Sequence, residues 1–354
     1  MAEIDTSETA TPGYDRPSVE AWIGANIDAL TPPFTWEKLE GGHSNLTFLL
    51  SDVNGERAVI RRPPMGELLP KAHDMAREFA IISGLGPTAV PVAKAYALVE
   101  DLSVTGAVFY VMSEVPGRAM YTAEAVEEWL SMEARAMVGH SFMETLAALH
   151  SIDPADVGLG NLARHDGYVA RQLKTWYGSW NASKEGAALD DERIHQMHDL
   201  LSSRIPEQGP GRVVHGDYGL HNCMLDQQGK ITAVLDWEIA TLGDPLADFA
   251  YALNAWSDVD DEVRVSHESA TMAPGFARRH ELAEYYAGIT GADLSNLAYY
   301  RAFNYFKTAC ILHGVYARYL QGKKSTEGID VPELKERMLA TIDLAEMRAG
   351  ELAS

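Results

Sequence analysis

The first 115 residues alternate between short apolar runs and turn residues, a pattern that predicts a small antiparallel sheet. TWEKLE and LTFLLSD have the composition of strands, and the Asn54-Gly55 turn leads from the second into a third strand, ERAVIRR. AKAYALVED and AVFYVMSEV predict two more strands. Apolar residues recur at helical spacing in 17–30 and 71–86. We therefore expect five strands with a helix inserted after the third.

Beyond residue 116 the pattern changes to long helices. Only two short apolar runs, RVVHGD and ITAVLDWE, interrupt them, on either side of CMLDQQGK. From Pro245 onward nearly every segment has helical periodicity. The expected fold class is α+β, with a small antiparallel β-sheet lobe followed by a larger, mainly helical lobe. The predicted parts are a flexible tail, 1–16, an N-terminal lobe, 17–115, and a C-terminal lobe, 116–354.

Composition narrows the classes of function. The chain has 354 residues, with 29 basic and 51 acidic side chains and a net charge of −22. Such a surface repels nucleic acid and anionic membranes, while its charge is compatible with either simple solubility or a cationic substrate. Two cysteines, Cys223 and Cys310, make neither a disulfide framework nor a zinc site. With no apolar run of 18 residues and no signal-peptide pattern at the start, we expect a soluble cytoplasmic protein.

Candidate chemistry is concentrated around the two interrupting strands. Asp217 follows the first strand, Asn222 lies in the loop after it, and Asp236 ends the second strand. Phosphoryl transfer uses such a set, in which one carboxylate orients the attacking hydroxyl while an amide oxygen and a second carboxylate bind Mg²⁺. Each residue alone could be a turn former or a cap. The joint pattern favours phosphoryl transfer.

HGDYGLHN followed by LDWE resembles the catalytic and metal-binding loops of the aminoglycoside phosphotransferase and choline kinase superfamily. That superfamily is related to protein kinases. The resemblance implies a two-lobed, protein-kinase-like fold that uses ATP, with GTP as an alternative, and Mg²⁺. It also implies that Asp217 is the catalytic base and that Asn222 and Asp236 are magnesium ligands.

The first lobe contains the further elements that an ATP site of this kind needs: a turn over the phosphates, a cation on the third strand and a carboxylate on the next helix. The expected lysine is missing from the third strand, which offers Arg61 and Arg62 in its place. Either arginine could bind phosphate, and Glu78 is the expected carboxylate. The cofactor-binding candidates are Gly42, Ser44, Asn45, Val59, Arg61, Arg62, Glu78, Glu114 and Val115.

A narrower resemblance covers most of residues 34–320. VIRRPPMGELLPKAHDMAREFAII, RQLKTWYGSW and LGDPLADFAY are similar to the kinase-like domain fused to certain acyl-CoA dehydrogenases, and to free-standing bacterial proteins labelled aminoglycoside phosphotransferases. The resemblance implies hydroxylated acyl-CoA substrates. Structural support of the catalytic loops is expected from His215, Glu238, Asp244 and Asp248.

The acceptor site is the least defined part. Trp176 and Trp180, one helical turn apart, could form a substrate wall or belong to the core, and Arg301 could bind an anionic group or form a buried ion pair. The sequence thus predicts a small-molecule O-phosphotransferase whose acceptor is a lipophilic alcohol such as a hydroxyacyl-CoA. An aminoglycoside-type antibiotic kinase is one alternative. A nucleotide-binding pseudokinase, suggested by the missing lysine, is the other.

Overall fold

The computed structural model describes residues 11–39, 45–66, 73–263, 269–323, 326 and 329–352. The chain divides into two compact units. One consists of residues 1–116 together with 232–238, and the other of 117–231 together with 239–354. The short segment 232–238 is held in the first unit by hydrogen bonds from Val234 N to Pro91 O (2.8 Å) and from Thr232 Oγ1 to Pro116 O (2.7 Å).

The first unit contains a five-stranded antiparallel sheet, which confirms the predicted small antiparallel sheet. The strand order is β1-β2-β3-β5-β4, and Asn54-Gly55 forms the turn between β2 and β3. Gly55 has a φ of +88°, a conformation that glycine adopts without strain. The elements are α1 (Arg16–Asn26), β1 (Thr35–Lys38), β2 (Leu46–Ser51), β3 (Arg57–Arg62), α2 (Met75–Leu85), β4 (Ala95–Val99), α3 (Leu102–Thr105) and β5 (Phe109–Ser113).

One face of this sheet packs on α1. Val19 and Ile23 of α1 join Phe48, Ile60 and Phe109 of the strands in one buried apolar cluster. Helix α1 ends at Asn26, earlier than the predicted 17–30, because Ile27 is extended and begins the turn toward β1. The described end of the segment predicted as a tail packs into the same cluster, where Tyr14 is buried.

The second unit is mainly helical, as expected for its amphipathic segments. Its core is formed by α6, α7, α8, α10 and α11, with Trp180, Phe303 and Phe306 fully buried. None of the helices in the described ranges is long and apolar enough to cross a membrane. The helices are α4 (Ala123–Trp129), α5 (Met132–Ser151), α6 (Tyr168–Ala187), α7 (Glu192–Ser203), α8 (Pro245–Ala255), α9 (Arg279–Thr290), α10 (Leu297–Leu320) and α11 (Val331–Gly350).

Short strands flank the HGDYGLHN and LDWE motifs. They are β6 (Arg212–Val214), β7 (Cys223–Leu225), β8 (Ile231–Val234) and β9 (Thr241–Gly243). Strand β9, which pairs antiparallel with β6, was not predicted because three residues carry no readable alternation. The pairing holds the chain on both sides of the motif: β6 leads into Asp217 and β9 leads into Asp244.

Candidate active site

The backbone that leads into Asp217 is fixed by a buried aspartate of α8. Asp248 accepts hydrogen bonds from the backbone N–H groups of His215 and Gly216, both at 2.7 Å. Gly216 has a φ of +84°, and an added Cβ would lie 3.3 Å from the Ile239 side chain, so the turn needs glycine. The loop is therefore rigid at the residue just before Asp217.

Both carboxylate oxygens of Asp217 have polar neighbours. The Tyr251 hydroxyl donates to Oδ1. Asn222 Nδ2 donates to Oδ2 over 3.1 Å, and His221 Nε2 lies 3.5 Å from the same oxygen. The side chain is 32% exposed. The carboxylate is thus oriented by its neighbours while remaining accessible.

These neighbours also keep Asp217 ionised. Burial raises its pKa, but the hydrogen bond and charge of His221, followed by the hydrogen bond from Tyr251, outweigh burial and lower the pKa to about 2. At neutral pH the group is a carboxylate, the form that accepts a hydrogen bond from a hydroxyl.

Asn222 lies at the end of a 3-10 turn, Leu220–Asn222, and is 8% exposed. Its Nδ2 donates to both the backbone oxygen (2.9 Å) and the carboxylate of Asp217. Both bonds use the amide nitrogen, so the amide oxygen faces away from Asp217. That oxygen is the atom a hard metal ion takes from asparagine.

Two of the predicted support residues, Asp248 and Asp244, are buried in the α8 region. His150 Nε2 lies 3.2 Å from Asp248 Oδ2, and His150 Nδ1 lies 2.7 Å from the Tyr286 hydroxyl. Burial raises the pKa of Asp248, but the hydrogen bond and charge of His150 outweigh it and lower the pKa. Asp244 caps α8 and accepts from Tyr300 at 2.6 Å, and burial raises its pKa. The capping role expected of Asp244 is present.

In the first unit, Arg61 is the cation that meets Glu78. Arg61 Nε lies 3.3 Å from Glu78 Oε2, and the Tyr110 hydroxyl donates to the same oxygen at 3.0 Å. Glu78 is 2% exposed, and burial raises its pKa against the opposing effects of Arg61 and Tyr110. Burial disfavours the charge of Arg61, yet Tyr110, Glu78 and Asp236 outweigh it and raise the pKa of Arg61. The guanidinium is permanently charged.

Arg61 also contacts the second carboxylate of the motif. Its Nη2 lies 3.0 Å from Asp236 Oδ1. Asp236 has a φ of +61°, a left-handed conformation that aspartate and asparagine tolerate better than most residues. Both polar atoms of the Asn45 amide have partners. Its oxygen accepts from Arg61 Nη2 at 2.7 Å, and its nitrogen donates to His73 Nδ1 at 2.9 Å. His73 Nδ1 is 4.0 Å from Glu238 Oε2.

Arg62 points to the opposite side of β3. It is 8% exposed, and its guanidinium donates to the carbonyl oxygens of Gly13 and Thr105. Its Cζ lies 5.6 Å from the ring centroid of Tyr14. The Arg62 side chain therefore packs inside the first unit. Because side chains alternate along a strand, its neighbour Arg61 lies on the opposite face of β3, where it meets Glu78.

The remaining candidates have varied surroundings. Trp180 is fully buried and stacks on His313 at 3.8 Å, which places it in the core. Trp176 is half-buried against the same core.

Arg301 Nε donates to Asn254 Oδ1 at 2.9 Å. Val59 is buried in β3, Glu114 pairs with Arg57 at 3.2 Å, Val115 is half-buried, and Gly42 and Ser44 lie outside the described residues.

Three residues that the sequence did not place near Asp217 lie around it: His221, Tyr251 and Lys307. His221 lies inside the quoted motif, and its imidazole folds over Gly219, where a Cβ would lie 2.5 Å from the ring. Tyr251 follows Asp248 by three positions on α8. Lys307 lies 91 positions beyond Gly216 in the chain, and only the packing of α10 brings the two residues together.

The family to which the chain belongs is shown by its sequence. Residues 35–285 match the family described as Phosphotransferase enzyme family, and the chain is a member of it. The two units have the fold of kinase-like phosphotransferases, which confirms the expected class.

Three similar proteins refine this placement. Acyl-CoA dehydrogenase family member 11 of Homo sapiens is 32% identical over 322 residues, which cover 89% of this chain and 40% of the relative. The chain thus spans about two fifths of the length of that curated relative. A candidate aminoglycoside phosphotransferase from Ralstonia eutropha JMP134 has a TM-score of 0.81 and 28% identity, covering 96% of this chain and 99% of its own.

The third is a thermostable mutant of the aminoglycoside phosphotransferase APH(4)-Ia, solved in ternary complex with ADP and hygromycin B. Its TM-score is 0.59 at 17% identity, with 92% of this chain and 98% of that chain covered. At this identity the likeness concerns the fold. The first relative agrees with the narrower resemblance seen in the sequence, to the kinase-like domain of acyl-CoA dehydrogenases.

Proposed function

We propose that this chain transfers the γ-phosphoryl group of ATP to a hydroxyl group of a small molecule. The observation that carries the proposal is the environment of Asp217, an ionised and accessible carboxylate held on a rigid loop. Such a carboxylate can orient an acceptor hydroxyl for attack. Membership of the phosphotransferase family supports the same class of reaction.

In the proposed transfer, one phosphorus–oxygen bond forms and another breaks. The acceptor oxygen forms a bond to the γ-phosphorus while the bond from that phosphorus to the bridging oxygen breaks. ADP keeps the electron pair of the broken bond. The acceptor proton passes to Asp217 and then to solvent. Because the pKa of Asp217 is about 2, the carboxylate acts mainly by orienting the hydroxyl, and it receives the proton late in the transfer.

The donor set fits magnesium. Mg²⁺ prefers carboxylate and amide oxygens, and proteins commonly supply one or two of them beside the phosphates of the nucleotide. Asp236 presents a carboxylate that is 36% exposed, and Asn222 has its amide oxygen turned away from Asp217. We propose each of them as a magnesium ligand on this chemistry and on the family resemblance of its own motif. A bound ion would neutralise charge on the β- and γ-phosphates.

Arg61 is the proposed phosphate ligand of the first unit. Its charge is permanent, and Glu78 and Tyr110 fix its position from the buried side. This arrangement supplies what the absent lysine supplies in other kinase-like proteins, a cation braced by a carboxylate. The Arg61–Glu78 pair therefore argues against the pseudokinase alternative, whose support was the missing lysine.

For the acceptor we propose a lipophilic alcohol, and a hydroxyacyl-CoA first. The support is the 32% identity to a protein named for acyl-CoA dehydrogenase activity. Since this chain spans only part of that relative, the acceptor is inferred from the likeness alone. An aminoglycoside is the second candidate, favoured by the net charge of −22, which attracts polycations.

The test is acceptor-dependent ADP formation across hydroxyacyl-CoAs, steroids, amino sugars and choline. Wild type is compared with Asp217→Asn and with Asp293→Asn, an exposed turn carboxylate in the second unit that serves as control. We expect turnover with one alcohol class, lost in the first variant and kept in the second. Equal turnover in all three proteins contradicts the proposed base, and ADP formation with amino sugars alone selects the antibiotic-kinase alternative.

A further inference from the structure

The Tyr251 hydroxyl is hydrogen-bonded to one carboxylate oxygen of the proposed base. It donates to Asp217 Oδ1, while Asn222 and His221 face Oδ2. A hydroxyl that donates to this carboxylate makes the same hydrogen bond that an acceptor alcohol must make before it is phosphorylated. Tyr251 therefore stands where a transferable hydroxyl, or a water molecule, binds the base.

Lys307 of α10 holds Tyr251 in this place. Lys307 Nζ lies 5.3 Å from the centroid of the Tyr251 ring, and it donates to the carbonyl oxygen of Gly216 at 3.1 Å. Lys307 is 5% exposed, and burial lowers its pKa while Asp248 and Asp217 oppose this effect. A cation over the face of a phenol ring is attracted to it. Lys307 thus links the ring of Tyr251 to the loop that carries Asp217.

The phenol is suited to donate a hydrogen bond and unsuited to react. Burial, followed by the charge of Asp217, raises the pKa of Tyr251 well above 10. The hydroxyl therefore keeps its proton at physiological pH. A half-buried phenol on a helix also has less freedom to move toward a phosphate than a small ligand has.

Water is the main competitor of the acceptor in such an enzyme. A water molecule on Asp217 can attack the γ-phosphorus, which breaks the bond to the bridging oxygen and releases ADP and phosphate without useful transfer. Kinases limit this reaction by excluding or misplacing water. A fixed phenol on the base has this effect, because water must displace it without the binding energy that a larger acceptor brings.

We infer that Tyr251 is a specificity-determining residue that reserves Asp217 for the acceptor alcohol and keeps water from it. The inference rests on the proposed function, since it needs Asp217 to be the base. The acceptor hydroxyl displaces the phenol when it binds. When no acceptor is bound, the Tyr251–Asp217 hydrogen bond suppresses hydrolysis of ATP.

The test measures phosphate release from Mg·ATP with no acceptor present. Tyr251→Phe keeps the ring beneath Lys307 and removes only the hydroxyl. Tyr285→Phe is the matched control, because it removes another tyrosine–carboxylate hydrogen bond of the second unit, the 2.6 Å bond to Glu144. We expect roughly tenfold faster hydrolysis in Tyr251→Phe, comparable to the loss of one hydrogen bond to a charged group. The control should match wild type.

ADP affinity should be unchanged in Tyr251→Phe, and its melting temperature should fall no further than that of Tyr285→Phe, which also loses one tyrosine–carboxylate hydrogen bond. This separates water exclusion from a general loosening of the unit. Hydrolysis equal to that of the control, or slower than in wild type, overturns the inference. The double variant Tyr251→Phe/Asp217→Asn distinguishes failure of this inference from failure of the proposed function. If it retains the fast hydrolysis, Asp217 is not the base and the proposed function fails; if it loses it, the base assignment stands.

Discussion

Arg61 and Asp236, 175 positions apart in the sequence, form an ion pair with Nη2 and Oδ1 at 3.0 Å. The same guanidinium pairs with Glu78 at 3.3 Å. A cation braced by a buried glutamate therefore reaches the carboxylate proposed to bind magnesium. Both contacts lie within the first unit, and they give the two neighbouring arginines of β3 different roles.

The first prediction separates those arginines. Arg61→Gln should weaken nucleotide binding by about tenfold or more, because a hydrogen-bonded charge on phosphate contributes roughly 1.5–3 kcal/mol. Arg62→Gln should leave binding close to wild type and lower the melting temperature, since it loses the carbonyl contacts and the Tyr14 ring. Calorimetric titration with Mg·ADP and thermal melting check both. The reverse outcome assigns the phosphate to Arg62.

The second prediction concerns Asp236. Asp236→Asn removes the charge and keeps a residue that tolerates the left-handed φ of +61°. We expect Mg²⁺-dependent nucleotide binding to be lost, with melting temperature little changed. Asp236→Ala should lose the same binding and melt lower, because alanine is strained at this φ. Tight Mg·ATP binding in the asparagine variant contradicts the ligand assignment.

The third prediction is the pH dependence of transfer. The pKa of Asp217 is lowered to about 2, so its charged form persists as pH falls, and the activity that depends on it is lost only on approaching that value. A profile of kcat/KM from pH 4 to 9 should contain no acid limb from this residue. Asp217→Asn should reduce kcat by roughly 10²–10⁴-fold and leave ADP binding intact. An acid limb near pH 6 that the substitution removes is the opposing result.

The fourth prediction compares the two buried aspartates of the α8 region. Asp248→Asn should lower the free energy of unfolding by about 3 kcal/mol, because an asparagine has one acceptor oxygen for two backbone N–H groups and loses the charge facing His150. Asp244→Asn should cost less than about 1 kcal/mol, since asparagine caps a helix as well as aspartate does and its amide N–H can donate to the Tyr300 hydroxyl, which then acts as acceptor. Denaturant unfolding measures both.

The pH dependence of the Asp248 effect has a defined sign. The folded-state pKa of Asp248 is lowered, so its stabilisation is present above its unfolded pKa of about 3.9 and is lost as pH falls through the folded pKa. The difference in unfolding free energy between wild type and Asp248→Asn should therefore shrink in acid. A difference that is constant from pH 7 to pH 3 shows that the charge of Asp248 is not what stabilises the loop.

Local sequence patterns were enough for most of the elements and for the chemical motif. Alternating apolar residues and the Asn54-Gly55 turn predicted the sheet, because strand period and turn conformation are properties of neighbouring residues. His215, Asp217 and Asn222 were visible for the same reason, since one short loop carries them all. Such features depend on steric and hydrogen-bonding preferences within a few positions of the chain.

Only the tertiary structure decided which distant side chains act on that loop. Nothing in IRRPP distinguishes Arg61 from Arg62, but the packing of α2 against β4 and β5 brings Glu78 to one of them and leaves the other facing Tyr14. Likewise Lys307 belongs to no motif, and nothing in LGDPLADFAY marks its last residue, Tyr251, as a neighbour of Asp217. The packing of α8 and α10 brings these side chains to Gly216 and Asp217. Contacts across such separations arise because whole faces of helices and strands are buried. A local pattern predicts that a face is buried, but it does not identify the residues on which that face packs.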